Sequence, residues 1–226
     1  MAKILIGTCS WTDKELIGSG AFYPPEAKDA ESRLRYYTTR FPLVEVDSTY
    51  YALPSQRTVE LWAERTPQEF AFDIKAFSLF TQHPTKVRSF PRDVARELPT
   101  KAGDNPNYYY KDVPPELRDE LWNRFTEAIR PLYDEAKLGV VLLQFPKWVV
   151  PSAAHRDYIL EARDRLRPLE VAIEFRAASW FGAKDGTSTL KFLRDNRMAY
   201  VCVDAPQGFL SSVPPVAEAT ADIAEV

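Results

Sequence analysis

Six short apolar runs, each followed by a longer stretch of different periodicity, recur along this 226-residue chain. They are KILIGT (3–8), PLVEVD (42–47), EFAFDIK (69–75), LGVVLLQF (138–145), LEVAIEF (169–175) and MAYVCVD (198–204). Short apolar runs rich in β-branched and aromatic residues predict strands. Between them, the spacing predicts helices near 27–40, 55–65, 114–135, 152–166 and 187–196. In the third, Leu117, Leu121, Phe125, Ala128 and Leu132 repeat on one helical face. Ser55 suits an N-cap, and Pro114 with Pro115 suits a first turn. Strand, helix, strand in this order calls for parallel strands joined by crossover helices, hence an α/β fold.

Alternate strand residues point to opposite faces, so each run splits in two. Val44 and Val46 oppose Leu43, Glu45 and Asp47; Phe70, Phe72 and Ile74 oppose Ala71, Asp73 and Lys75. Val141, Leu143 and Phe145 oppose Val140, Leu142 and Gln144; Val171, Ile173 and Phe175 oppose Ala172, Glu174 and Arg176. The last run sets Val201 and Val203 against Cys202 and Asp204. One face is wholly apolar each time, and the other turns polar only toward its C-terminal end. Helices on both faces of a doubly wound sheet would not produce this one-sided ending. A TIM-barrel-like (β/α) fold does, because inward residues at the C-terminal strand ends line the mouth. Parity therefore gathers Glu45, Asp47, Asp73, Lys75, Gln144, Glu174, Arg176 and Asp204 around one opening.

Composition narrows the class. A net charge of −3 and a pI near 5.6 lack the basic surplus of a general polyanion binder. Two cysteines, Cys9 and Cys202, are too few for a disulfide scaffold. No apolar run has the length of a membrane span, so a cytoplasmic protein of one domain is expected.

The motifs GTCSW (7–11), FYP (22–24), VEVDSTYY (44–51), FAFDIKA (70–76), VLLQFP (141–146) and IEFRAASW (173–180) follow one another along almost the whole chain. Together they resemble the YecE-like family, domain of unknown function 72. The resemblance implies a TIM barrel and a bacterial or archaeal cytoplasmic protein, and it supplies no reaction. Asp47 stands where the family often carries Asn. The family continues beyond ADIAEV into a seventh strand with an Arg-x-His-Gly motif. About six β/α units are visible here, so the expectation is a barrel short of its last strands.

Glu174, Glu45 and Lys75 are the candidate acid–base residues, and Arg176 is placed to hold a carboxylate or phosphate. The competing reading makes Glu174 and Arg176 an interior ion pair that orders the mouth. Glu45 and Glu174 would act as a glycosidase-type pair at roughly 5–10 Å separation. Asp73 and Lys75 either neutralise each other or leave Lys75 as a desolvated amine. Asp47, Asp73, Gln144 and Asp204 complete the polar lining. With Glu45 and Glu174, the aspartates would offer an oxygen-rich cage for Mg²⁺ or Mn²⁺. Trp11 and Tyr51, with Tyr50, are candidate stacking surfaces. His83 lies in a long connection, 77–114, read as a lid or insertion over the mouth.

These residues predict an enzyme, a hydrolase or isomerase, acting on a hydroxylated or phosphorylated small molecule. A nucleic-acid-binding or phosphodiester-processing protein is the second reading, and a non-catalytic binding domain the third. A basic groove at the mouth would favour the second; an acidic enclosure favours the first.

Overall fold

The computed structural model of the chain describes residues 3–100, 107–182, 185–209 and 212–226. Six strands form one parallel sheet: β1 (Gly7–Cys9), β2 (Leu43–Val46), β3 (Ala71–Lys75), β6 (Leu138–Phe145), β7 (Val171–Phe175) and β8 (Ala199–Tyr200). Their order in the sheet is β1-β2-β3-β6-β7-β8. Between β3 and β6, the short strands β4 (Thr85–Lys86) and β5 (Asn107–Tyr108) pair as an antiparallel ribbon. The helices are α1 (Lys14–Gly18), α2 (Ala30–Tyr37), α3 (Ser48–Tyr51), α4 (Gln56–Glu64), α5 (Arg92–Glu97), α6 (Pro115–Asp134), α7 (Ala153–Arg165) and α8 (Gly186–Asp195).

The predicted strands and long helices all form, most with shorter ends; β6 keeps its full predicted range, and β1 is confined to Gly7–Cys9. Ser55 caps α4 by accepting the Thr58 N–H at 3.1 Å, as its position implied. Along α6, Leu121, Trp122, Phe125, Ala128, Ile129 and Leu132 are buried. Each fully buried Leu or Phe contributes about 1.5–3 kcal/mol, so this stripe fixes α6 on the sheet.

Parity is obeyed over β2, β3, β6 and β7. Their apolar sets pack with Leu34, Val59, Trp62, Phe125, Ile159 and Leu193 of the helices in one core. Val140, Leu142, Ala172, Ala199 and Val201 form a separate small cluster on the other face. Helices thus cover one face, as a barrel wall requires, yet no closed barrel is found among the described residues. The sheet is open, with β1 and β8 at the two ends of the strand order. Beyond β8, Val201 makes a parallel bridge with Glu225, and Glu225 O accepts the Cys202 N–H at 2.8 Å.

The last strand departs from its predicted facing. Met198 and Tyr200 join the helix-side core, whereas Val201 lies on the opposite face. Both parities of this strand are apolar enough to be buried, so alternation carried no information about which one faces the helices. Asp204 lies beyond the ladder and is exposed.

Much of the connection 77–114 is packed against the core. Phe77, Leu79, Phe80, Phe90, Val94, Tyr108, Tyr110 and Val113 are core residues, and Phe80 stacks on Trp122 at 3.7 Å. Residues 101–106 of that connection, including the start of DNPNYYYKD, lie outside the described residues.

Candidate functional site

Strand register brings the polar residues together. Cys9, Glu45 and Asp73 are direct neighbours across β1, β2 and β3. Gln144 and Glu174 face each other across β6 and β7. Lys75 ends β3, and its Nζ lies 2.8 Å from Asp47 Oδ1 and 3.4 Å from Glu45 Oε1. The Lys75 and Glu45 side chains are only 15% and 18% exposed, so water screens this triad weakly. Glu174, itself 5% exposed, receives the Gln144 Nε2–H at 2.6 Å and pairs through Oε1 with Arg176 Nε.

Burial and neighbouring charge set the protonation states. Burial pushes the Glu45 carboxyl up to about 7; Asp47 and Glu174 add to the rise, and Lys75 opposes it. Burial works against the Lys75 ammonium, but the Asp47 hydrogen bond and the charges of Glu45, Asp47 and Glu174 outweigh it and hold the amine above its usual range. Burial, then Glu45 and Asp47, raises the Cys9 thiol to about 11. Cys9 is therefore a neutral thiol at physiological pH and a poor nucleophile.

Asp73 has a structural task. The β3–β6 register slips between Phe72 and Ile74, freeing the Val140 N–H, and Asp73 Oδ1 accepts it at 2.9 Å. Gly139 makes the room: a Cβ there would stand 2.2 Å from that oxygen. Asp73 and Lys75 do not neutralise each other, because the partners of Lys75 are Glu45 and Asp47. Burial raises Asp73 to about 6 even against its hydrogen bond from Val140.

Two expected residues lie elsewhere. Trp11 is 6% exposed, meets Trp62 edge-on at 5.6 Å and donates Nε1–H to Ala30 O at 3.2 Å. It belongs to the core, because a tryptophan at a strand end can turn under the helices as readily as over the mouth. Asp204 falls outside the cluster with the reversed strand. Tyr51 does stand at the strand ends, 67% exposed and edge-on to Tyr50 at 5.1 Å. His83 reaches the same end: its ring meets Tyr50 at 5.2 Å and Trp148 at 5.8 Å, and burial followed by the Lys75 charge lowers it to about 4.

Three residues escaped the sequence reading. Cys9 shows parity with Trp11 on a strand whose two faces were not separated. Trp148 follows β6 by three positions and Tyr50 follows β2 by four, and that echo was the available signal. Glu225 has no local signature. Its carboxyl is raised to about 8 by burial and by the charges of Asp73, Glu45 and Glu174, which places it among them.

The Cys9 sulfur and the Glu45 and Asp47 carboxylates lie within 4.8 Å of one another, close enough for a small cation. The Lys75 ammonium already sits against both carboxylates, and the third group is a soft sulfur donor that Mg²⁺ and Mn²⁺ disfavour. These residues fit a divalent ion poorly.

Fold and site define an α/β protein whose parallel sheet gathers a half-buried ionic cluster at the C-terminal ends of its strands. The family described as "Protein of unknown function DUF72" matches residues 5–226, and the chain belongs to it. It is 28% identical over 217 residues to the UPF0759 protein YunF of Bacillus subtilis (strain 168), covering 96% of this chain and 66% of that relative's length. Among solved structures, it is similar to a DUF72 family protein (EF0366) from Enterococcus faecalis V583, with a TM-score of 0.71 and 25% identity. That match covers 95% of this chain and 66% of the other. A DUF72 family protein (TM1631) from Thermotoga maritima MSB8 gives a TM-score of 0.69 and 26% identity, over 96% of this chain and 71% of the other. Among the described residues no helix is long and apolar enough to cross a membrane.

Proposed function

We propose that this protein works by acid–base chemistry on a hydroxylated small molecule held at the C-terminal strand ends. The strand order follows the sequence and helices cover one face, so we read the sheet as part of a TIM-barrel-like wall, whose C-terminal rim is where such folds carry chemistry. One observation carries the proposal: the Lys75 ammonium sits 2.8 Å from Asp47 and 3.4 Å from Glu45 in a site that raises Glu45 to about 7. A carboxyl titrating there gives up and takes a proton near neutral pH, which general acid–base catalysis needs.

In this reading, ionised Glu45 removes a proton from a substrate hydroxyl or a water, and Lys75 donates a hydrogen bond to the oxygen that becomes negative. Glu174, held by Gln144 and Arg176, stays fixed as a hydrogen-bond acceptor. Around Lys75 and Arg176 stand the carboxylates of Glu45, Asp47 and Glu174, so a phosphate would meet a cluster without a surplus of positive charge. That disfavours the nucleic-acid reading, which needs such a surplus at the rim.

The test is a thermal-shift screen of uncharged polyols and glycosides, sugar phosphates and short oligonucleotides, with stabilising compounds then followed by proton NMR. The expected result is conversion of a hydroxylated compound that Glu45→Gln slows at least 100-fold without unfolding the protein. Conversion that survives Glu45→Gln, or stabilisation by oligonucleotides alone, would overturn the proposal.

A further inference from the structure

Beside the ionic cluster stands a line of rings that acid–base chemistry does not use. Tyr50 lies in α3 just past β2, His83 follows the turn after β3, and Trp148 lies three residues past β6, so three consecutive strands of the sheet each contribute one ring. Tyr50 meets His83 at 5.2 Å and 80°, and His83 meets Trp148 at 5.8 Å and 72°. The wall borders the cluster directly, with Lys75 Nζ 6.0 Å from the Tyr50 ring centroid.

These rings are held in place. Trp148 Nε1 donates to Gln82 O at 3.3 Å, and His83 N donates to Ser78 O at 3.0 Å. Gln82 adopts φ +62°, a left-handed conformation that costs a side-chain-bearing residue about 1–2 kcal/mol. His83 Nδ1 lies 2.9 Å from Thr81 Oγ1, which also lies 3.3 Å from Ser78 O. That contact engages Nδ1, and Nε2 of this neutral imidazole meets a ligand hydroxyl as acceptor or donor according to the tautomer. Trp148 is nevertheless 48% exposed, although burying a large ring is among the strongest stabilising options open to a chain.

We propose that Trp148, His83 and Tyr50 form a binding subsite for an uncharged hydroxylated ring of the pyranose or cyclic-polyol kind. Its apolar face would stack on Trp148, while its hydroxyls reach His83 Nε2 and the carboxylates beside Lys75. The chemistry of the surroundings selects this ligand. A phosphorylated ring would face Glu45, Asp47 and Glu174, whose charges already offset those of Lys75 and Arg176. An aliphatic or purely aromatic ligand would leave the polar groups of the cluster without partners as it excluded water from them.

This inference rests on the strand ends being a ligand site, though not on their catalysing a reaction. The experiment is a titration of the full chain with methyl glycosides, inositol, the corresponding phosphates and nucleosides, read by tryptophan fluorescence and saturation-transfer NMR. At least one uncharged glycoside or cyclic polyol should bind saturably and more tightly than its phosphate. Trp148→Ala should weaken it about tenfold or more with the melting temperature held within a few degrees, and Trp148→Phe should weaken it less. The titration reads binding and not turnover, so dependence on Trp148 stands whether or not any compound is converted, and failure of the subsite is separable from failure of the chemistry. Binding that is unmoved by Trp148→Ala, tighter binding of phosphates or nucleosides, or no binding of any uncharged ring would overturn the proposal.

Discussion

The two ends of this sheet solve the problem of surface charge in opposite ways. At the end where α6 and α7 finish and β7 begins, a cleft of about 440 Å³ is lined by Glu127, Arg130, Tyr133, Arg165 and Arg167. Its Arg167–Asp164 pair has side chains 63% and 56% exposed. At the C-terminal end the charges are half-buried, with Glu45, Asp73 and Glu225 all pushed upward. Charge taken out of water costs free energy, and a fold retains it where the charge is used or where it organises the structure.

The contrast is sharpest at Lys75. Replacing it with Met leaves Glu45 and Asp47 facing each other without a cation. Removing one partner of a buried pair costs about 3–5 kcal/mol, and residual exposure brings the expected loss to about 2–4 kcal/mol in urea unfolding at pH 8. Much of that loss should return at pH 6, because Glu45 can then stay protonated. A loss below about 0.5 kcal/mol would mean that the triad is screened like the far cleft.

Next in size is the pH dependence of the parent chain. Glu45 titrates at about 7 in the folded protein against its ordinary 4.5, so the folded state binds this proton more tightly than the unfolded one. Its contribution is fully present below about pH 4.5 and is lost as pH rises through 7. Asp73 and Glu225 act in the same direction, toward about 6 and about 8. Stability should therefore fall between pH 5 and 8, and Glu45→Gln should remove a share of that slope worth at most about 3 kcal/mol. If Glu45→Gln leaves the slope unchanged, the carboxyl is not buried as described.

The Asp73 bulge gives a structural counterpart. Gly139→Ala would drive a methyl group onto Asp73 Oδ1, at about 1–3 kcal/mol. Asp73→Ala would strand the Val140 N–H at a similar cost. The double variant should lose less than the sum, since the methyl then enters space the carboxylate has left. Additive losses would detach Asp73 from the bulge.

What could be read beforehand follows the same physics. Strand parity placed Glu45, Lys75, Gln144 and Glu174 correctly because each lies on a strand with one unambiguous apolar face packed under helices. The method failed at Asp204, where Met198 and Tyr200 compete with Val201 and Val203 for the core. It had no purchase on Trp11, whose burial depends on Trp62 and Ala30 far along the chain. Glu225 and Trp148 owe their places to tertiary contacts with Val201 and Gln82. The scaffold of the site was legible in periodicity, whereas its rim depended on which loop packs where.

The smallest effect belongs to the far cleft. Arg167 reaches Asp164 at 3.0 Å and Arg130 reaches Asp134 only at 3.9 Å, all four side chains being well exposed. Exposed pairs of this kind are worth about 0–1 kcal/mol. Arg130→Ala and Arg167→Ala should each shift unfolding by no more than about 0.5 kcal/mol, and neither should alter binding of an uncharged ring at the Trp148 wall. Should either abolish that binding while the protein stays folded, the functional end of the sheet would be the one with the arginine-lined cleft. The buried charges around Lys75 would then be structural, holding the strand ends in register.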